Sequence, residues 1–152
     1  MKKAILGILL GMAIIGQPVQ CCAADAVFPR THFDAIDISY EDAQLLMQIA
    51  DAESHNQGAD GEWLVMSVVL NRVSSSEFPN SIHDVIYQPY QFYTKGMKSE
   101  VSLEAHEALA RLEMGDVAPE IIAFEKTTSN VLDRYFSSAF GFKDHTFYTL
   151  KK

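Results

Sequence analysis

The sequence predicts an α+β fold, with helices first and a small antiparallel sheet last. Two observations carry this. Apolar residues recur at helical spacing between residues 40 and 114, and beyond Pro119 the pattern gives way to short β-branched or aromatic runs separated by turn residues. The length of 152 residues, with 48% hydrophobic and 11% aromatic residues, suits one domain with a single core.

Residues 1–24 read as a signal peptide. Lys2 and Lys3 make a basic start, Ala4 to Gly16 is apolar, and the small residues around Ala24 offer a cleavage site. The apolar run is shorter than the ~20 residues of an ordinary membrane span, so no membrane contact is expected after cleavage. Cys21 and Cys22 both precede the cut, and the exported domain is expected to hold no disulfide. Residues 25–38 lack helical periodicity and contain Pro29, which gives a flexible lead-in or a short strand. The folded domain is expected over 39–152.

Ser39 followed by Glu41 and Asp42 starts a first helix, Tyr40 to Glu53, with acids facing the positive end of its dipole. A turn-rich loop, His55 to Gly61, leads into a second helix, Glu62 to Val73, apolar nearly all round and therefore central. Ser81 opens a short helix that ends near Tyr87, before Pro89. An aromatic loop follows, and Ser102 caps a helix from Leu103 to Met114 that Gly115 stops. Ile121 to Phe124, Arg134 to Phe140 and Phe142 to Leu150 read as the strands.

The formal charge of −8 leaves no basic stripe to neutralise phosphates, so nucleic acid is not an expected partner. No serine has a G-x-S-x-G setting, and the exported chain has no thiol nucleophile. His106-Glu107 begins like a zinc-protease helix, but Ala110 stands where the second histidine would be required. The five histidines are scattered, and neither metal nor cofactor is expected.

Glu53 is the most informative residue, because it follows Leu45 and Ile49 on an apolar stripe at the C-terminal end of its helix. Desolvation and the negative helix pole both disfavour its ionisation, which suits a general acid; a helix ending one or two residues earlier would leave it facing water. Asp51, Asp60 and Glu62 are candidates for a second carboxylate. Tyr87, Tyr90, Phe92 and Tyr93, interspersed with Gln88 and Gln91, have the composition of a sugar-binding wall, or of a loop pinned by buried rings.

Taken together, Ile49-Ala50-Asp51-Ala52-Glu53, Asp60-Gly61-Glu62, Val68-Val69-Leu70-Asn71-Arg72-Val73, Phe78-Pro79-Asn80, Val85-Ile86-Tyr87-Gln88-Pro89-Tyr90-Gln91-Phe92 and the closing Gly141 to Tyr148 form an ordered series. The series resembles the spore cortex-lytic cell wall hydrolase family of the SleB and CwlJ type, over about residues 42 to 148. The resemblance implies a mainly helical, lysozyme-like lobe followed by the small sheet. It implies a peptidoglycan lytic transglycosylase acting on glycan strands, as in spore cortex lysis at germination; the signal peptide makes it secreted or envelope-located, and with nothing in the sequence suggesting an obligate partner a monomer is expected. Glu53 matches the family's catalytic glutamate, and Gln91, Phe92, Tyr90, Asn71 and Tyr148 are the expected glycan contacts. Where the family usually has a small residue, an arginine and a second glutamate after its catalytic one, this chain has Ser54, His55 and Gln57. Ala52-Glu53-Ser54 instead resembles the Glu-Ser pair of soluble lytic transglycosylases. Three alternatives stand beside this expectation: a lysozyme-type muramidase using Asp60 or Glu62 to activate water, a zinc amidase, and a non-catalytic glycan-binding module.

Overall fold

A computed structural model of the chain describes residues 31–32 and 37–152. The expected signal peptide and most of the lead-in lie outside the described residues. Within them, two residues of the lead-in form strand β1 (Thr31–His32), which pairs antiparallel with β2 (Asp116–Val117). No described helix is long and apolar enough to cross a membrane.

Helix α1 (Tyr40–Ser54) begins where its cap predicts, with Ser39 Oγ accepting the Asp42 N–H at 3.1 Å. Its buried side carries Ala43, Leu46, Met47, Ile49 and Ala50. Ser54 Oγ donates to the Ala50 carbonyl at 2.9 Å in the last turn. A 3-10 turn over His55–Gln57 then leads directly into α2 (Gly58–Val73).

The predicted loop to Gly61 is thus shorter than expected, because its glycines do different work. Gly58, at φ +69°, makes the sharp turn, whereas Gly61 lies inside the helix. A Cβ at 61 would collide with the Cβ of Gln57 and lie 3.4 Å from the Phe142 ring. Asp60 is an acid in the helix's first turn and pairs with Arg111 at 2.7 Å.

As the sequence predicts, α2 is the central helix: Trp63, Leu64, Val65, Met66, Val68 and Val69 are fully buried. It packs against α1, against the short α3 (Ile82–Ile86) and against α4 (Leu103–Glu113). Ser81 and Ser102 cap the last two as predicted. Ser102 Oγ also donates to Glu62, a fully buried carboxyl on α2 whose pKa burial pushes up to about 7.

The three-stranded sheet has β3 (Ala123–Lys126), β5 (His145–Leu150) and β4 (Phe136–Phe142) in that order, all antiparallel. Polar side chains of α2 hold the segment that leads into it. Asn71 Nδ2 donates to the Ala118 and Ile121 carbonyls at 2.7 and 2.8 Å, and Arg72 Nε donates to the Ile122 carbonyl at 2.6 Å. Ser67 Oγ accepts the Ala118 N–H at 3.1 Å. Ile121 and Ile122 are therefore buried ahead of the strand rather than within it.

Glu125, on β3, gathers the far side of the sheet. Its Oε1 accepts from Tyr148 Oη at 2.7 Å and from the Leu132 N–H at 3.2 Å, and Oε2 accepts from Ser129 Oγ at 2.5 Å. Burial acts to raise its pKa, but the bonds from Ser129, Tyr148 and the Leu132 and Val131 amides prevail and lower it.

Two outcomes follow for stability. Gly61→Ala is expected to destabilise the domain by about 1–3 kcal/mol in denaturant titration, since the new methyl meets a side-chain stem that cannot swing away. A carboxyl whose folded pKa is depressed contributes stability above its unfolded pKa and loses it as pH falls through the folded value. Glu125→Gln should accordingly be less stable than wild type at pH 7, with the difference shrinking as pH falls below the ordinary glutamate range.

Candidate active site

Glu53 occupies the last turn of α1 at the edge of the helix's buried stripe, three residues beyond Ala50 and seven beyond Leu46. It is half-buried and lines a cavity of about 510 Å³. Burial raises its pKa, and a hydrogen bond from the Tyr93 backbone N–H to Oε1, at 2.5 Å, works against that rise without overcoming it.

The other walls come from five elements. The 3-10 turn supplies Asn56 and Gln57, the aromatic loop Gln91 and Tyr93, β3 Phe124 and Glu125, and the β4–β5 turn and β5 Asp144 and His145. A second cavity of about 550 Å³ shares Gln91, Phe124 and Glu125 with the first, and adds Arg72, Phe78, Tyr90 and Tyr135 among its lining. The two adjoin as one cleft between the helical lobe and the sheet.

Polar groups in this cleft are fixed by their neighbours. Arg72 lies between the Phe78 and Phe92 rings, 5.0 Å from each centroid, and its Nη1 donates to Gln91 Oε1 at 3.2 Å. Burial lowers its pKa to about 10, which leaves it charged. With Oε1 engaged, Gln91 has its Nε2 to donate into the cleft. Gln57 is buried, and its Nε2 lies 2.9 Å from Nδ1 of His145, whose pKa burial lowers. Asn56 Nδ2 donates to Asp144 Oδ2 at 3.3 Å.

Of the predicted glycan contacts, the structure brings Gln91 and Tyr90 to the cleft with Glu53. Tyr90 is fully exposed and has a positive φ of 65°, a strained conformation for an aromatic residue. Phe92 is half-buried beneath the loop against Arg72 and Phe124. Of the two readings of the aromatic loop, pinning by rings fits Phe92, and an exposed wall fits Tyr87, Tyr90 and Tyr93.

Asn71 and Tyr148 are not brought to the cleft. The Asn71 amide is spent on the Ala118 and Ile121 carbonyls, and Tyr148 is buried with its hydroxyl on Glu125. The candidate second carboxylates are elsewhere too. Asp60 pairs with Arg111, Glu62 lies under Ser102, and Asp51 accepts from His55 Nδ1 at 2.8 Å. Those that line the Glu53 cavity are Glu125 and Asp144. Glu125 had one signal in the sequence, since strand alternation puts it on the same face as apolar Ala123.

The family described as Cell Wall Hydrolase matches residues 56–148, a stretch that begins just after Glu53. A spore cortex-lytic enzyme of Bacillus cereus is 39% identical over 54 residues, covering 36% of this chain and 21% of its own. The spore cortex-lytic enzyme of Bacillus subtilis is 37% identical over 54 residues, 36% of this chain and 18% of its own. The chain thus spans about a fifth of the length of the curated relatives it matches. Among solved structures, the catalytic domain of the Bacillus cereus SleB protein superposes with a TM-score of 0.66 at 21% identity, covering 76% of this chain and 95% of that one. The catalytic domain of the germination-specific lytic transglycosylase SleB from Bacillus anthracis gives 0.65 at 22% identity, covering 74% and 97%. These likenesses establish the α+β fold with its terminal three-stranded sheet. With its characteristic sequence matched over more than half of the residues, the chain belongs to the cell wall hydrolase family.

Proposed function

We propose that this chain is an exported lytic transglycosylase that cuts peptidoglycan glycan strands between N-acetylmuramic acid and N-acetylglucosamine. The observation that carries this reading is a half-buried glutamate of raised pKa, with one oxygen held by a backbone N–H, in a cleft of two adjoining cavities of about 510 and 550 Å³. Family membership and the names of the relatives, a germination-specific lytic transglycosylase and spore cortex-lytic enzymes, support the same chemistry with spore cortex as a substrate. The substrate is a glycan strand, and the enzyme works as a single copy at the cell envelope.

In this reaction Glu53 gives its proton to the glycosidic oxygen as the bond to C1 of the muramyl residue breaks. The resulting carboxylate takes the proton from the muramyl 6-hydroxyl, whose oxygen bonds to C1 and leaves a 1,6-anhydro end. One group suffices because the nucleophile is carried within the substrate, already close to C1. A muramidase would instead need a base to activate water. Asp60 and Glu62 do not line the cavity, and Glu125 accepts three hydrogen bonds within the chain, which makes it a poor base. Asp144 is the remaining carboxylate, and it serves as the internal comparison. Tyr90 offers its exposed ring to a sugar face, and Gln91 its amide to a hydroxyl or acetamido group.

Muropeptides released from cortex and from vegetative wall would be identified by mass spectrometry. Wild type is expected to give anhydro-muramyl ends, and Glu53→Gln to lower their rate at least about 100-fold while still binding glycan. Reducing ends that disappear with Asp144→Asn would move the reaction to hydrolysis. Loss of stem peptides would indicate an amidase, and glycan binding without turnover in wild type would leave a binding module.

Tyr90→Gly separates strain from binding. Glycine accepts the positive φ, so the variant should melt at or slightly above the wild-type temperature while KM for glycan rises about 5- to 10-fold, as lost ring stacking would cause.

A further inference from the structure

On the side of α1 turned away from Glu53, three side chains outside the cleft converge. Asp51 and His55 are four residues apart and so share one face of the helix end, whereas Glu53 projects roughly 200° from Asp51. Glu62 reaches the same place from α2. The carboxylate oxygens of Asp51 and Glu62 and the imidazole nitrogen of His55 all lie within 4.8 Å of one another.

We propose that Asp51, His55 and Glu62 bind one transition-metal dication of the zinc class, clamping the end of α1 to α2 behind Glu53. The donor set decides the class. One imidazole nitrogen and two carboxylate oxygens suit zinc, whereas calcium and magnesium favour all-oxygen shells. Donors around a tetrahedral zinc stand roughly 3.3–3.5 Å apart, so the Asp51–His55 pair, in contact at 2.8 Å, opens slightly and the wider separations, up to 4.8 Å, close by about an ångström of side-chain movement.

The local charge gives an ion a reason to be there. Glu62 is fully buried and its hydrogen-bond donor is the neutral Ser102 hydroxyl. Asp51 and Glu104 both act electrostatically on it, adding two carboxylates to the same neighbourhood, and His55 is the facing group that opposes them when protonated. Among the described residues, no lysine or arginine forms an ion pair with any of the three. A buried carboxyl with a half-buried one and an exposed one facing it favours a cation at this place.

Access is present as well. Asp51 and His55 line a cavity of about 470 Å³, which gives an ion a route in and room for water as a fourth ligand. Lys95 and Lys98 line it too, and their charge weakens the attraction of a cation. The clamp performs no step of glycan cleavage; it joins Asp51, His55 and Glu62 across the turn that carries Glu53.

Calorimetry and native mass spectrometry with zinc chloride would test this on residues 25–152 stripped with a chelator. One zinc per chain is expected, weakened at least 10-fold by His55→Gln, which is exposed and leaves the core intact, and by Glu62→Gln, which keeps the Ser102 contact. His106→Gln is the surface-histidine comparison and should leave binding unchanged. At zinc a hundred-fold above Kd, the melting temperature of wild type should rise by about 5–10 °C, and that of His55→Gln should not. No binding by wild type would overturn the site. So would a zinc stoichiometry unaffected by both His55→Gln and Glu62→Gln, or equally tight binding of magnesium or calcium. These readouts are independent of glycan cleavage, so failure of one proposal leaves the other standing.

Discussion

The whole cleft depends on α2 being buried on every side while still making polar bonds from within the core. A helix surrounded in this way has little water to satisfy polar side chains, so Ser67, Asn71 and Arg72 must find partners in the chain. They find them in the backbone at Ala118, Ile121 and Ile122, the segment leading into the sheet. The sheet is thereby registered against the same helix that α1 packs on. Glu53 at the end of α1 and Glu125 on β3 consequently face one cavity though 72 positions separate them in sequence.

Arg72 links this scaffold to the site. Its Nε holds the sheet, its Nη1 orients Gln91, and its planar group lies between two phenylalanine rings. A lysine could supply charge here but not the fork that serves both bonds, nor the flat face that packs between rings. The aromatic loop therefore has a rigid inner half, Phe92, and an outer half in which Tyr90 stands clear of the protein. Strain at Tyr90 is tolerated because the fixed base under the loop determines its path.

What was legible in the sequence was what local chemistry decides. Ser39, Ser81 and Ser102 announce three helix starts because a cap acts within three residues, and the apolar run of 63–70, interrupted by Ser67 alone, announces a central helix. Glu53 could be found because an acid on an apolar stripe stands out against its own helix. Tertiary demands were not legible. Gly61 reads as a turn but serves close packing against Gln57 and Phe142, a need set by residues elsewhere in the fold. Asn71 and Tyr148 look like glycan contacts by type, yet the chain consumes their hydrogen-bonding groups. Glu125 was hidden for the converse reason: a single acid in a short strand reads as solvated until Ser129, Leu132 and Tyr148 are seen to close on it.

The contrast between the two glutamates follows from where their hydrogen bonds come from. Glu125 accepts three bonds from hydroxyl and amide donors, enough to outweigh burial and keep it ionised. Among the described residues Glu53 accepts one, from Tyr93, and burial prevails. For a group proposed to act first as an acid and then as a base, that balance matters in both directions. Burial makes the protonated form available, and the single amide bond keeps the carboxylate from being so unstable that it recaptures its proton from the leaving sugar. More donors at Glu53 would lower its pKa at the expense of the acid, and losing the Tyr93 bond would raise it at the expense of the base. The loop that carries Tyr93 is thus as much a part of the proposed proton relay as the helix that carries Glu53, because it supplies the donor that opposes the rise caused by burial.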